Sequence, residues 1–546
     1  MEGIKENFKF LIAETQKQVN ATLDLLVNPD GSNYEKIYNR DDYIDNLKTI
    51  IENKCFARIN ATINIPDKEI NEIRAIHIAG VNLERIADNC VNIIRQFGYL
   101  EDFDFINSYS YKDQFDLIRD ALSRINRVLE NSDMTGALTI CKAEHELDEK
   151  YKVIFDRIMS QLKTGQNTQN LITTLFIFRY LERIGDSLLN IGEALIFAIV
   201  GEKIKIHQFQ SLQRVLSKSG FDGDISDIDF QGIWGTKSGC HISRLEQRPS
   251  STAETRESIF KEGNLQKIKA EKDNLEKWGE LFPGLTPRVY SYNEDSGSAS
   301  ILVEFLPGHT FDESVINADE ELLRSGFISL RETVRRVWTE TRKDEAISTD
   351  YIKQILTRLE HINQLHPELN RFELDIGQTK IRSSNELFEI GTQIEREIKA
   401  PFSVLIHGDF NANNIIFDYD INRIYFIDLY RSRSYDYVQD ISVFLVSNFR
   451  IPVFAEELRA RLNWIIEKFY SFARGMAEDW NDDTFEARLT LALARSFYTS
   501  TRFELNFEFA KEMCLRAYYL LEKLFAHKQG NIAWEKFHLP QSVLYY

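Results

Sequence analysis

Apolar residues recur at three- and four-residue intervals through roughly the first 200 positions, and strand-like alternation is scarce there. That periodicity predicts helices. Only Pro29, in the turn NPDGSN, and Pro66 interrupt the stretch, so the helices should be long. After Gly201 the pattern changes to Gly-, Ser- and Asp-rich sequence with short β-like pieces. IDFQGIWGTKSGCHISRLE reads as strand, glycine turn, strand, and ESIFKEG as a further strand ending near Lys261. NLQKIKAEKDNLEKWGELF returns to helical spacing and carries Glu271; TPRVYSYN and SASILVEFLPG then read as two strands around a turn. Further on, NIIF and RIYFI flank the turn-rich DYDIN and predict a hairpin. From Asp440 onward, aromatic-rich amphipathic helices are expected again. In them Tyr498, Arg502 and Glu504 fall where contacts to a substrate could arise, although packing is the simpler account of each.

Within the helical region a segment occurs twice. LERIADNCVNI begins at Leu83 and LERIGDSLLNI at Leu181, identical at seven of eleven positions and 98 residues apart. A weaker echo, RDDYIDNLKTII against AEHELDEKYKVI, pairs Asp41 with Glu144 and Asp45 with Asp148. A period of this length indicates a duplicated domain rather than a solenoid. Glu84 and Asp88 share one helix face, as do Glu182 and Asp186, because side chains four apart are neighbours. A solvated face paired with Arg85 and Arg183 would look the same. Recurrence in both copies favours a shared task, since free surface charges drift between duplicates. Carboxylates converging from the helices of a bundle are one way to hold metal ions. The doubled segment, on what would be the last helix of each three-helix unit, resembles the PhoU family of phosphate-signalling regulators. The resemblance spans about the first 205 residues. It implies two tandem three-helix bundles and a multinuclear iron or zinc site at Glu84, Asp88, Glu182 and Asp186. Metal binding and a salt-bridged face both stand as readings of these acids.

Composition narrows the setting. The chain has 546 residues, too many for one ordinary core, with 43% hydrophobic and 27% charged residues. Its formal net charge of -18 speaks against a general nucleic-acid binder but leaves room for a local basic pocket. The five cysteines, Cys55, Cys90, Cys141, Cys240 and Cys514, are scattered without CxxC spacing, which fits a reducing compartment. MEGIKENFKF lacks the pattern of a secretory signal, and LLNIGEALIFAIVG is too short to span a bilayer. A cytoplasmic protein is expected, with no membrane span; the oligomeric state is open.

The chemistry concentrates between Val404 and Tyr430, VLIHGDFNANNIIFDYDINRIYFIDLY. Asp409 and Asp428 stand at the two open ends of the expected hairpin, with Asn414 close behind the first. Phosphoryl transfer needs one carboxylate to orient an acceptor hydroxyl and take its proton. It also needs a second carboxylate and an amide oxygen to hold Mg²⁺ on the nucleotide. Asp409, Asp428 and Asn414 can fill these roles in that order. The pattern H-x-D-x-x-x-x-N followed nineteen residues later by Ile-Asp, with Asp436 and Asp440 beyond, resembles the aminoglycoside phosphotransferase and choline kinase family. That resemblance runs from about Ile225 to Leu524. It implies His407 and Asp440 as supports of the catalytic loop, and Lys261 on the nucleotide phosphates with Glu271 holding it. It also places Glu304 and Leu306, in the EFLPG strand, beside the nucleotide, and Gly235 and Gly239 at its phosphates. Gly232, Gly235 and Gly239 do not have the spacing of a P-loop, and a plain hairpin turn would look alike.

The expected architecture is multidomain: an all-α tandem helix bundle, then an α+β bilobal kinase-like domain. Residues 1–205 would form the helical domain with repeats of about 1–100 and 101–205, 206–224 a linker, 225–306 the small lobe and 307–546 the large lobe. The expected activity is transfer of the γ-phosphate of ATP or GTP to a hydroxyl acceptor, such as a sugar, an amino alcohol or an antibiotic. A nucleotide-sensing scaffold without turnover is the alternative. A protein kinase fits less well, because HGD replaces H-R-D and no activation-loop pattern follows Asp428.

Overall fold

A computed structural model describes residues 1–29, 32–61, 65–201, 206–219, 228–232, 241–247, 257–295 and 297–546. Their contacts divide into two compact units, Met1–Glu262 and Gly263–Tyr546. The first unit thus runs past residue 205 and the division falls inside a strand.

The first unit opens with six long helices: α1 (Glu2–Val27), α2 (Ser32–Ala61), α3 (Asp67–Phe97), α4 (Tyr111–Asn131), α5 (Met134–Leu162) and α6 (Thr168–Val200). They pack as two successive three-helix sets, α1–α3 and α4–α6, with α3 lying along α6. Each set closes over its own apolar stripe, with Phe8, Leu11, Ile76 and Leu83 buried in the first and Phe115, Ile118, Phe178 and Leu181 in the second. Each such side chain contributes about 1.5–3 kcal/mol on burial. The two sets meet where Asn190 Nδ2 on α6 donates to Asn82 Oδ1 on α3 at 3.2 Å. Gly192 brings α6 close to α5, since a Cβ there would stand 2.3 Å from Cys141 Sγ. Cys55, Cys90, Cys141 and Cys514 are free and buried, and Cys240 lies outside the described residues. Helix α7 (Ile206–Lys218) and strands β1 (Ile228–Gly232), β2 (His241–Gln247) and β3 (Glu257–Asn264) follow. The three strands are successive antiparallel neighbours, with Phe230 opposite Leu245 and Ile242 opposite Lys261.

The second unit begins with α8 (Leu265–Leu281), whose first turn is capped by Asn264 Oδ1 accepting from the Gln266 and Lys267 amides. Strands β4 (Val289–Glu294) and β5 (Ser298–Glu304) form an antiparallel hairpin. Then come β6 (His309–Thr310), α9 (Phe311–Asn317), α10 (Glu320–Thr341), α11 (Tyr351–Leu356), α12 (Leu359–Leu365), β7 (Leu374–Ile376), β8 (Thr379–Ile381) and α13 (Ser384–Glu397). Four short strands follow, β9 (Val404–Ile406), β10 (Ile415–Asp418), β11 (Arg423–Phe426) and β12 (Arg433–Tyr435). Strands β10 and β11 pair antiparallel from Ile415↔Phe426 to Asp418↔Arg423, β6 adds to the free side of β10, and β9 pairs with β12. Helices α14 (Val438–Phe449), α15 (Glu456–Asp479), α16 (Phe485–Ser500) and α17 (Phe507–Gln529) complete the unit. Every residue of α14 is buried, its polar residues Gln439, Asp440, Ser442, Ser447 and Asn448 included. No helix among the described residues is long and apolar enough to cross a membrane.

Candidate active site

Strand β9 is buried along its length and leads into His407. The chain then reverses through Gly408, whose φ is +85°; a Cβ there would sit 2.3 Å from the Arg431 carbonyl oxygen. Only glycine fits this turn without displacement. Gly408→Ala is expected to cost about 1–3 kcal/mol, read as a lower urea midpoint; an unchanged midpoint would contradict this geometry.

Asp440, in the first turn of α14, braces the reversal. Its Oδ2 accepts the His407 amide at 2.7 Å and its Oδ1 the Gly408 amide at 2.9 Å. Gln439 Nε2 donates to the Gly408 carbonyl at 3.1 Å. Burial pushes the Asp440 carboxyl up to about 7, against the two amide donors that favour its charge. His407 is buried, and its Nε2 lies 2.9 Å from the Ile427 carbonyl while Nδ1 accepts the Asp409 amide at 3.3 Å. A carbonyl can only accept, so Nε2 carries the hydrogen and Nδ1 the lone pair. Burial lowers the His407 pKa, which agrees with this neutral tautomer. The ring fastens the β9 end to the β11 end and has no lone pair left to take a proton.

Asp409 emerges from this turn. Its Oδ1 accepts from Asn411 Nδ2 at 2.8 Å, and its Oδ2 lies 3.2 Å from Arg431 Nη1. A 3-10 turn at Ala412–Asn414 leads into β10. Asn414 Nδ2 donates to the Asp409 carbonyl at 2.9 Å, and the Asn414 carbonyl accepts the Ile427 amide at 3.1 Å. The second bond places the turn beside Asp428, two residues past β11. Asp428 adopts φ +63°, a left-handed conformation that Asp tolerates better than most residues. His407 feels the charge of both Asp409 and Asp428, so the two acids share one edge of the hairpin.

Helix α8 is tied to the segment after Asp428. Asn274 Nδ2 donates to the Leu429 and Ser432 carbonyls at 2.8 and 3.2 Å, and Trp278 Nε1 to Ser432 Oγ at 2.7 Å. Ser432 Oγ in turn donates to the Ile406 carbonyl at 2.7 Å. Glu271 is buried on this helix. Lys261 is buried in β3. Glu304 closes β5 and its Oε2 accepts the Arg288 amide at 3.1 Å, with Leu306 just beyond. Gly235 and Gly239 lie outside the described residues. Asp436 is fully buried in an ion pair with Arg488, away from solvent. Tyr498 is fully buried against the rings of Phe388 and Tyr518.

In the first unit, Glu84 and Asp88 on α3 face Asp41 and Asp45 on α2, and Glu182 and Asp186 on α6 face Glu144 and Asp148 on α5. Burial and mutual repulsion raise the pKa values of Glu84, Asp88, Glu144 and Glu182, and push Asp41 up to about 6. Cations stand among them: Lys48 lies 3.0 Å from Asp45 and 4.0 Å from Glu84, Lys152 2.8 Å from Asp148, and Arg179 2.8 Å from Glu182. Among the described residues no three His, Cys, Asp or Glu side chains converge as metal ligands. Between α3 and α6 lies a cavity of about 350 Å³ lined by matching pairs, Arg85 with Arg183, Asp88 with Asp186 and Asn92 with Asn190.

Comparison with known proteins agrees with both halves. Residues 10–97 and 112–195 match the PhoU domain, and residues 259–474 match the phosphotransferase enzyme family. A phosphate-specific transport system accessory protein PhoU homolog of Borreliella burgdorferi is 33% identical over 198 residues, 35% of this chain and 88% of that protein. The homolog of Clostridium acetobutylicum is 26% identical over 200 residues, 35% of this chain and 89% of its own. Among solved structures, aminoglycoside phosphotransferase APH(3'')-Id from Streptomyces rimosus is similar at 17% identity and a TM-score of 0.32, covering 59% of this chain and 98% of its own. Through its N-terminal helices the chain belongs to the PhoU family. At its C-terminus it carries a kinase-like α+β domain of the phosphotransferase enzyme family.

Proposed function

We propose that the C-terminal domain transfers the γ-phosphate of ATP or GTP to the hydroxyl of a small molecule. The observation that carries the reading is the assembly of Asp409, Asn414 and Asp428 along one edge of the β10–β11 hairpin. Asp409 receives the acceptor's proton as the hydroxyl oxygen bonds to the γ-phosphorus and the bond to the β-phosphate oxygen breaks. Arg431 and Asn411 hold its carboxylate in one orientation. Asn414, with its Nδ2 already donated, offers Oδ1, and Asp428 its carboxylate; two hard oxygens suit Mg²⁺. When bound, Mg²⁺ neutralises charge on the phosphates and keeps them in line. Glu304 and Leu306 are assigned to the nucleotide's edge. Asp440 and His407 act through the loop they support.

Incubating the full chain with labelled ATP and Mg²⁺ and a panel of hydroxyl compounds tests this. Labelled product supports it. Tight nucleotide binding with no product across the panel would favour a nucleotide-sensing scaffold. The PhoU region is assigned a regulatory part linked to phosphate state.

Metal binding by that region requires Lys48 and Arg179 to leave the acids. Elemental analysis of the untagged full chain after metal-replete expression decides it. Iron or zinc that is lost on replacing Glu84, Asp88, Glu182 and Asp186 by Ala would establish a site that forms by rearrangement. A metal-free wild type would establish the salt-bridged face.

A further inference from the structure

Beside Asp409 the second unit gathers positive charge that the reaction itself does not need. Arg431 pairs with the Asp409 carboxylate. Arg450 Nη2 reaches Asn411 Oδ1 at 3.4 Å. Arg358, between α11 and α12, donates from Nη1 to the Gln354 carbonyl at 3.0 Å. Arg495 on α16 is 6% exposed, lies 5.6 Å from the Tyr351 ring, and has Nε and Nη2 buried without a hydrogen-bond partner. Arg502, in the turn after α16, has its Nε buried and unpartnered as well.

These side chains act on one another. Arg502 is pushed down to about 10, first by burial and then by the charges of Arg358 and Arg431, with Asp409 opposing. Arg495 is likewise pushed down to about 10 by burial, with Arg358 and Arg431 adding to it. Three of the nearby carboxylates already hold partners of their own. Asp409 is held by Arg431 and Asn411. Asp350 accepts from Tyr435 Oη and Gln354 Nε2 and pairs with Arg433 at 3.5 Å. Glu504 Oε1 accepts the Asn506 amide.

Guanidinium groups crowded into a half-dry site are stabilised by an anion that takes their N–H groups. A second cation would be repelled. Resting on the phosphotransferase reading, we infer that the acceptor is an anionic alcohol, a polyol carrying a phosphate or carboxylate, whose oxyanion is held by Arg358, Arg495 and Arg502 while its hydroxyl faces Asp409. A polycationic aminoglycoside or a quaternary amino alcohol is disfavoured by the same charges.

The test uses the full chain and polyols of rising length, each offered neutral, aminated, as the carboxylic acid and as the phosphate ester. Turnover with labelled ATP and calorimetric binding are measured in parallel. The expected result is binding and transfer that favour the phosphate or carboxylate over the neutral and aminated forms. The two anionic arms show which oxyanion is preferred. Arg502→Gln and Arg358→Gln should each raise the KM for that anion about tenfold or more, with the KM for ATP little moved. Arg502→Lys should recover part of the loss by keeping the charge. Preference for an aminated or neutral polyol, or no binding of any anionic polyol, overturns the inference. So does a rise in the KM for ATP in place of the acceptor's. Binding of the anion without transfer to any acceptor would keep the anion site and reject the phosphotransferase reading.

Discussion

Asp409→Asn is expected to lower phosphoryl transfer by about 10²–10⁴-fold and to leave Mg²⁺–nucleotide binding near wild type. The amide keeps the size of the carboxylate and can still accept from Asn411, so the turn at Gly408 survives. It cannot take the acceptor's proton, and it turns an N–H₂ or a weaker acceptor towards Arg431. Asp428→Asn should behave differently, weakening Mg²⁺-dependent nucleotide binding together with transfer. Calorimetric titration with a non-hydrolysable ATP analogue, with and without Mg²⁺, beside a turnover assay, separates the two. Wild-type turnover in both variants would remove the assignment of phosphotransfer to this site. Loss of Mg²⁺-dependent binding in Asp409→Asn alone would exchange the roles of the two acids.

The second large effect is on stability. Arg488→Met should destabilise the C-terminal domain by about 3–5 kcal/mol, because it leaves two buried carboxylates without their cation. Arg488 is 1% exposed and bridges Asp436 and Asp482, both fully buried. Tyr351 Oη donates to Asp436 at 3.1 Å and Tyr437 Oη to Asp482 at 2.8 Å, but neither neutralises charge. The two acids drive the Arg488 pKa up in spite of its burial. Calorimetry should resolve the loss as a downward shift of the C-terminal transition. Adding Asp436→Asn and Asp482→Asn to Arg488→Met should recover most of it, since the buried charge is then gone. A loss below about 1 kcal/mol would mean that the bridge adds little.

The proximity of Asp409, Asn414 and Asp428 was legible because they are close in sequence. A short hairpin carries Asp409, Asn414 and Asp428 to one edge, so linear spacing translates directly into proximity. Asp440 lies in the first turn of the next helix, and its amide bonds to His407 and Gly408 reach back 33 and 32 residues, across the whole hairpin. The doubled helical segment was legible for a different reason: a duplication writes its own register. The arginines around Asp409 left no such trace. Arg358, Arg450, Arg495 and Arg502 come from different helices and turns, and each alone looks like an ordinary surface cation. Arg502 was noticed in the sequence, yet only the packing of α11, α12 and α16 gives it neighbours. Asp436 likewise read as part of an acidic tail; its counter-ion, Arg488, stands 52 residues further on.

Helix α8 bears on how the C-terminal domain can respond to a signal. Three hydrogen bonds at about 1 kcal/mol each and the buried Trp278 ring, roughly 2–3 kcal/mol, fix it to the Leu429–Ser432 segment. Swinging the helix outward would forfeit about 5 kcal/mol, so the displaced conformer is populated on the order of once in several thousand molecules. An effector acting through that motion must prefer the displaced form by on the order of 10³–10⁴-fold before half the molecules switch. A helix latched this firmly is a fixed wall of the domain rather than a moving part.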